Sequence, residues 1–382
     1  MNSHFGPRRW LRRWSLVTIS LLIAFSTAPV VAVSSGVAPS LVVPEMLATV
    51  PGSRTMYVVD LVGCQQLRCL RLYRTSVSAT RFSAVSLPPL SAVSGSLTGD
   101  LNRLVFATAN VGYALVGANL PWTLYETVDG ARTWRPVTIG SGESILGLTV
   151  SAPSIYVVTA RCSPSGNTCR NYLVSRSTLQ AHVWTSTTLP HAGETKVYDG
   201  EFSPNVGAYE NDVWISEMTH AGSTIFTSHD GGKSFFPITA NRLASVSGCA
   251  ITAASATSLW AECPTGMDES FFHSSDGGAR WSNIRSEQFS GTGGGTFDPV
   301  SANLAYLAYG EQGPFDRITS GGRSVTVVGR LECSSPYSAL QYLSFADETH
   351  GLVLCFPGGS WKGERLLRTS DGGVHWTPVP AS

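Results

Sequence analysis

Charge is scarce in this sequence: only 14% of its 382 residues are Asp, Glu, Lys or Arg. Basic and acidic residues number 26 each, so the formal net charge is zero. A nucleic-acid partner needs a basic surface, and none is implied. No acid precedes Glu45, whereas Arg8, Arg9, Arg12 and Arg13 crowd the first thirteen residues. Beyond that segment 22 basic residues face 26 acidic ones, a net charge near −4. Chemical signatures are equally sparse. No Ser-His-Asp or Cys-His arrangement suggests a nucleophile, no His/Cys cluster suggests a resident metal, and no cofactor is implied. Gly, Ser, Thr and Val are plentiful instead, which suits short strands and tight turns.

The N-terminus, "RRWLRRWSLVTISLLIAFSTAPVVAV", joins a basic stretch to an uncharged apolar run. Residues 1–36 therefore read as a signal peptide or a retained N-terminal membrane anchor. Either way the arginines stay cytoplasmic and the body is exported, secreted or held at the cell surface.

The remainder repeats. "TVDGARTWRPV" begins at Thr127, "SHDGGKSFFPI" at Ser228, "SSDGGARWSNI" at Ser274 and "TSDGGVHWTPV" at Thr369. Weaker copies without the Asp begin at Thr75, Ser175 and Thr319. The anchor position falls at Phe82, Trp134, Trp184, Phe235, Trp281, Val325 and Trp376, in steps of 44–52 residues. In phase with it runs a short apolar strand, seen in "RTMYVVD", "NVGYALV", "PSIYVVTA", "NDVWISE", "TSLWAEC", "NLAYLAY" and "THGLVLC". A period this long, filled with short strands, predicts propeller blades. The expected architecture is all-β: one seven-bladed β-propeller over residues 37–382, of four-stranded antiparallel blades. The blades are placed near 43–89, 98–140, 144–189, 197–240, 245–286, 293–329 and 337–382.

These stretches resemble the Asp-box (BNR) repeat, S-x-D-G-G-x-x-W, of sialidase-like and sortilin-like propellers. The overall pattern is closest to photosystem II assembly-factor-like propellers. The resemblance covers Val43 to Val379 and is specific for architecture, not activity. It implies a turn between third and fourth strands. There the carboxylates of Asp129, Asp230, Asp276 and Asp371 would accept backbone N–H bonds. The glycines would allow positive φ, and Trp134, Phe235, Trp281 and Trp376 would bury an aromatic face. These residues are expected to brace the fold rather than bind. The sialidase R-I-P motif is absent, "DRITS" at Asp316 being the nearest stretch.

The eight cysteines of an exported chain favour disulfides. Their spacing predicts Cys64–Cys69, Cys162–Cys169, Cys249–Cys263 and Cys333–Cys355, all at the channel-mouth face opposite the Asp-box turns. That face also gathers the loops bearing Trp122, His220, Asp268, Glu269, Glu311, Trp361, Lys362 and Arg365. Among them His220, Glu269, Glu311, Trp361 and Lys362 are the candidate binding residues. His220 has no second ligand nearby for a metal. Asp268 and Glu269 are adjacent, so on an extended loop they face opposite sides and do not form a glycosidase pair. The sequence favours a non-catalytic, monomeric protein-binding or scaffold module whose partner is an extracytoplasmic protein. The alternative is a glycan-binding or glycoside-hydrolysing propeller with Trp361 as a stacking platform.

Overall fold

The structure, a computed structural model, describes most of residues 43–379. Outside the described residues lie 1–42, 91–100, 197–203, 285–294, 332–338, 357–364, 380–382 and several shorter stretches between strands. Residues 1–36, expected from the sequence to be a signal peptide or membrane anchor, fall among them. No helix among the described residues is long and apolar enough to cross a membrane.

Seven antiparallel sheets, each built from consecutive strands, form a seven-bladed propeller. Blade one pairs Val43–Thr49, Thr55–Cys64, Leu67–Ser76 and Ser83–Val85 in that order. Blade two runs from Leu101–Phe106 to Arg135–Val137, and blade three from Ser144–Ser151 to Thr185–Thr188. An extra two-residue strand, Thr195–Lys196, also pairs with the third strand of blade three, Thr168–Thr178. Blade four runs from Asn205–Tyr209 to Phe236–Ile238, and blade five from Ala250–Ala253 to Ser282–Asn283. Blade six runs from Gly295–Ser301 to Ser324–Arg330, and blade seven from Ala339–Phe345 to Thr377–Pro378. The ring closes without a shared strand: the innermost strands of blades seven and one pack on each other.

Burial explains the sequence pattern. A second strand is covered on both faces by neighbouring blades, so it reads as a continuous apolar run rather than an alternation. Gly112–Val116 is buried throughout, as are the first seven residues of Ser154–Cys162. Outer strands are mostly exposed and correspondingly polar, as in "TSTT" of blade three.

The aromatic residue of that second strand also crosses to the next blade. Tyr57, Tyr156 and Tyr306 donate their phenol O–H to carbonyl oxygens of Ala109, Glu210 and Glu348. Trp214 and Trp260 donate their indole N–H to Gly277 and Ser301, at 3.0 and 2.9 Å. Four of these acceptors sit in turns of the following blade, and Ser301 ends the first strand of its blade. Blade seven has Leu352 at this position, which has no donor. Its seam with blade one is packed by Met56, Val58, Val77 and Leu352.

Seam two–three is built differently. Tyr113 donates to the buried Glu126 carboxylate at 2.8 Å and receives the Gln180 backbone N–H from blade three. Glu126 also meets Arg135 at 2.7 Å and His182 of blade three at 3.1 Å. Blade three lacks the turn Asp, and His182 supplies a contact there that the motif does not.

Candidate functional site

Because consecutive strands run antiparallel, the propeller has two faces of different construction. One holds the turns between first and second strands and between third and fourth. The other holds the second-to-third loops and the connections between blades.

On the first face, four turns are built alike. Asp129 Oδ1 accepts the N–H groups of Arg132 and Thr133 at 2.9 and 3.0 Å, and Oδ2 takes the Thr133 hydroxyl at 2.6 Å. Asp230 repeats this with Lys233 and Ser234. Asp276 accepts Arg280 N–H, and Asp371 accepts His375 N–H and meets its ring. The Thr133 hydroxyl, foremost, holds Asp129 down at about 2. The Ser234 hydroxyl holds Asp230 below the usual carboxylate range. At Asp371 burial pulls upward, but bonds from His375 and Thr369 outweigh it and hold it at about 2.

The sequence reading gave no role to the hydroxyl residue that opens each copy. Thr127, Ser228, Ser274 and Thr369 are all buried. Each donates to its Asp at 2.7–2.9 Å and accepts the N–H four residues on at 2.8–2.9 Å. The invariant spacing of the hydroxyl two positions before the Asp was the signal for it. At the second glycine, Gly373 has φ 88° and a Cβ there would overlap the Phe315 ring of blade six. Strain and contact both demand glycine.

The anchors differ in depth. Trp281 and Phe235 are buried, whereas Trp134 and Trp376 are half-buried. Trp281 and Trp376 return their indole N–H to Gly278 O and Gly373 O. Trp134 does not; the equivalent carbonyl, Ala131 O, accepts Ser86 N–H from blade one at 2.8 Å. Its indole bonds Ser86 O at 2.7 Å instead.

On the mouth face, two disulfides are described. Cys162 and Cys169 stand directly opposite in register on the second and third strands of blade three, Cα atoms 4.0 Å apart. Cys249 precedes the first strand of blade five and joins Cys263 on the second, Cα atoms 4.1 Å apart. Two disulfides point to an oxidising, extracytoplasmic setting. Cys355 is disulfide-bonded, and Cys333 lies outside the described residues. Cys64 and Cys69 fall within strands rather than in the loop, with Val62 facing Cys69 and Leu67 facing Cys64. Their side chains lie outside the described set.

Of the candidate binding residues, His220, Glu311, Trp361 and Lys362 lie outside the described residues. Trp122 packs against the core between blades two and three. Glu269 has a partner the sequence reading missed. It shares a hydrogen bond with Glu262 from the adjacent strand. Burial, then the Glu269 carboxylate, pushes Glu262 up to about 8. Near neutral pH Glu262 therefore holds a proton and donates it to Glu269. Glu262 neighbours the bridged Cys263, so the pair stands on a covalently fixed strand. A side-chain hydrogen bond brings the carboxyls closer than the ~5 Å of retaining or ~6.5 Å and more of inverting glycosidases. On blade six, burial pushes Asp298 up to about 7, although Phe345 N–H of blade seven donates to it. Among the described residues no cluster of His, Cys, Asp or Glu is arranged to hold a metal ion.

No family model matches the chain, and no curated protein matches it. Solved structures do. YCF48 from Cyanidioschyzon merolae is similar at 14% identity, over 74% of this chain and 85% of that one, with a TM-score of 0.52. A structure of YCF48 bound to D1 peptide is similar at 15% identity, over 78% and 86%, with a TM-score of 0.51. The β-propeller domain of the Trilobed protease from Pyrococcus furiosus, described as having an open velcro topology, is similar at 7% identity. It covers 90% of this chain and 97% of that one, with a TM-score of 0.55. These likenesses show the seven-bladed fold, and such folds serve both binding and hydrolysis.

Proposed function

We propose that this protein is an exported, non-catalytic propeller that binds an extracytoplasmic protein through its mouth face. The observation that carries this reading is the placement of the disulfides. Cys162–Cys169 and Cys249–Cys263 both brace strand ends that lead into mouth-face loops. Loops fixed in advance lose less freedom on binding, which lowers the cost of capturing a partner. One propeller of similar fold has been seen with a bound peptide. We read the Asp–Gly turns as Asp boxes of the sialidase-like and sortilin-like kind, acting as braces. Their carboxylates are already engaged within their own turns. The Glu262–Glu269 pair, one proton between two carboxyls at hydrogen-bond distance, suits neither glycosidase geometry.

The test begins with crosslinking and pull-down from the native membrane fraction to identify the partner. Two substitution sets are then compared by titration. Changing Glu269, Glu311, Trp361 and Lys362 to Ala is expected to weaken binding at least about tenfold. Changing Lys233 and His375 to Ala, on the opposite face, is expected to leave it intact. Equal losses, or loss from the second set alone, overturn the assignment. Hydrolysis in a glycosidase screen that disappears in Glu269→Gln or Glu262→Gln would move the protein to the enzyme class.

A further inference from the structure

The seam between blades one and two opens on the Asp–Gly turn side into a polar groove of about 760 Å³. Arg74, Arg132, Thr55, Thr75, Ser83 and Ser86 line it, and among the described residues no carboxylate does. Both arginines are set in place by backbone. Arg74 stands opposite Tyr57 in the strand register. Its Nη1 lies under blade two, 2.8 Å from where a Cβ on Gly130 would stand. Arg132 follows from the Asp129 turn, its N–H held at 2.9 Å. Among the described residues neither guanidinium has an ion-pair partner. One wall is fixed by the reciprocal bonds between Ser86 and the blade-two turn, Ser86 N–H to Ala131 O and Trp134 Nε1–H to Ser86 O.

The other wall is Ser83–Val85, the outer strand of blade one, which has a sheet neighbour on one side only. Ser83 and Ala84 are exposed. An edge strand presents backbone donors and acceptors to any extended chain laid beside it. Seam three–four makes a useful contrast. It has cations in the same two positions, Arg176 and Lys233. There, however, the outer-strand residue Thr187 crosses to Gly232 O at 2.7 Å. In blade one the matching register position is Val85, which has no hydroxyl to cross with. Seam three–four thus has a side-chain tether to the turn carbonyl where seam one–two has the backbone bond from Ser86.

We propose that the blade one–two seam binds an extended acidic segment of a partner protein. Its backbone adds to Ser83–Val85, and its carboxylates reach Arg74 and Arg132. Two guanidinium groups without an ion-pair partner among the described residues, carried on backbone that the strand and the turn hold, select carboxylates, and guanidinium–carboxylate pairing is strong and directional. The groove falls within the ~300–1,000 Å³ of pockets that hold a ligand of several groups, more than one small anion fills.

The test uses the full chain and a labelled, acetylated heptapeptide alternating glutamate with valine, followed by fluorescence anisotropy. Saturable binding is expected. The counterpart with glutamine for glutamate should bind at least tenfold more weakly, and so should the acidic peptide to R132Q. Arg132 is exposed, so R132Q keeps the fold, which circular dichroism checks. R74Q should weaken binding as well, and K233Q should not. Absence of saturable binding, equal binding of the glutamine peptide, or an R132Q protein that binds normally each overturns the proposal. Binding of inorganic phosphate without binding of the peptide assigns the groove to a free oxyanion and also overturns it. Because this groove lies opposite the mouth, its failure leaves the mouth-face reading standing, and the reverse holds too.

Discussion

The phenol of Tyr57 donates to the carbonyl oxygen of Ala109 at 2.9 Å, joining blade one to a turn of blade two. Its ring stacks on Phe106 of the same neighbouring blade, centroids 3.5 Å apart. One side chain thus supplies both the packing and the polar bond of a seam. Tyr57→Phe keeps the packing and removes only the bond. The expected loss is about 1 kcal/mol, read as a lowered denaturant midpoint with an unchanged slope. A neutral result would show that the bond is replaced by water at no cost.

The turn braces should rank by the apolar area each one buries. Trp281→Ala is expected to cost roughly 3–5 kcal/mol, as large aromatic truncations in cores do. Asp276→Ala and Ser274→Ala should each cost on the order of 1–2 kcal/mol through unmet turn bonds. Ser274 should match Asp276, since it too holds a turn N–H, that of Gly278. Equilibrium unfolding measures all three. If Asp276→Ala abolished partner binding with the melting curve unchanged, the brace reading would fail.

Peptide mapping under non-reducing conditions should find Cys162–Cys169 and Cys249–Cys263. It should also find Cys64–Cys69 and Cys333–Cys355, with no free thiol. Replacing Cys249 and Cys263 by Ser should cost about 3 kcal/mol by loop-closure entropy. Any link between blades would contradict the strand register given above.

The Glu262–Glu269 pair makes stability depend on pH in a definite direction. Glu262 is held at about 8 when folded, against an ordinary 4.5. The folded state binds its proton more tightly, so the associated stability is complete below about pH 4.5. It is lost as pH rises through the folded value near 8. Glu262→Gln keeps the hydrogen bond to Glu269 and removes the titration. Relative to the parent, the variant should gain at least about 1 kcal/mol at pH 8 and little at pH 5. Melting curves at the two pH values decide it; an equal effect at both would show that Glu262 does not hold the proton.

The blade count was legible because each blade must repeat the same two problems. The first is a second strand buried on both faces; the second is a tight turn, which four blades build with Asp and glycine. The role of Tyr57, Tyr156 and Tyr306 was hidden. Their spacing marks the strand, but their acceptors lie 42–54 residues away in the next blade. The Glu262–Glu269 contact was hidden for a similar reason. Neighbouring residues on one strand diverge, so Asp268 drew attention, whereas the true neighbour of Glu269 comes from the strand alongside. The groove at Arg74 and Arg132 joins residues of two repeats, one of which has lost its turn Asp. Neither repeat alone hints at it.

Leu352 gives the ring a mechanical weak point. Five seams are crossed by a phenol or indole bond, and a sixth by Gln180 N–H to Tyr113 and His182 to Glu126. At the seventh an aliphatic side chain stands where the donor would be, and the first and last blades of the propeller meet there. Tension that draws blades one and seven apart loads that seam directly. Apolar packing resists shear along the contact poorly compared with a directed bond. The propeller should therefore yield under load as a ring unclasping between blades seven and one, with the other seams still engaged.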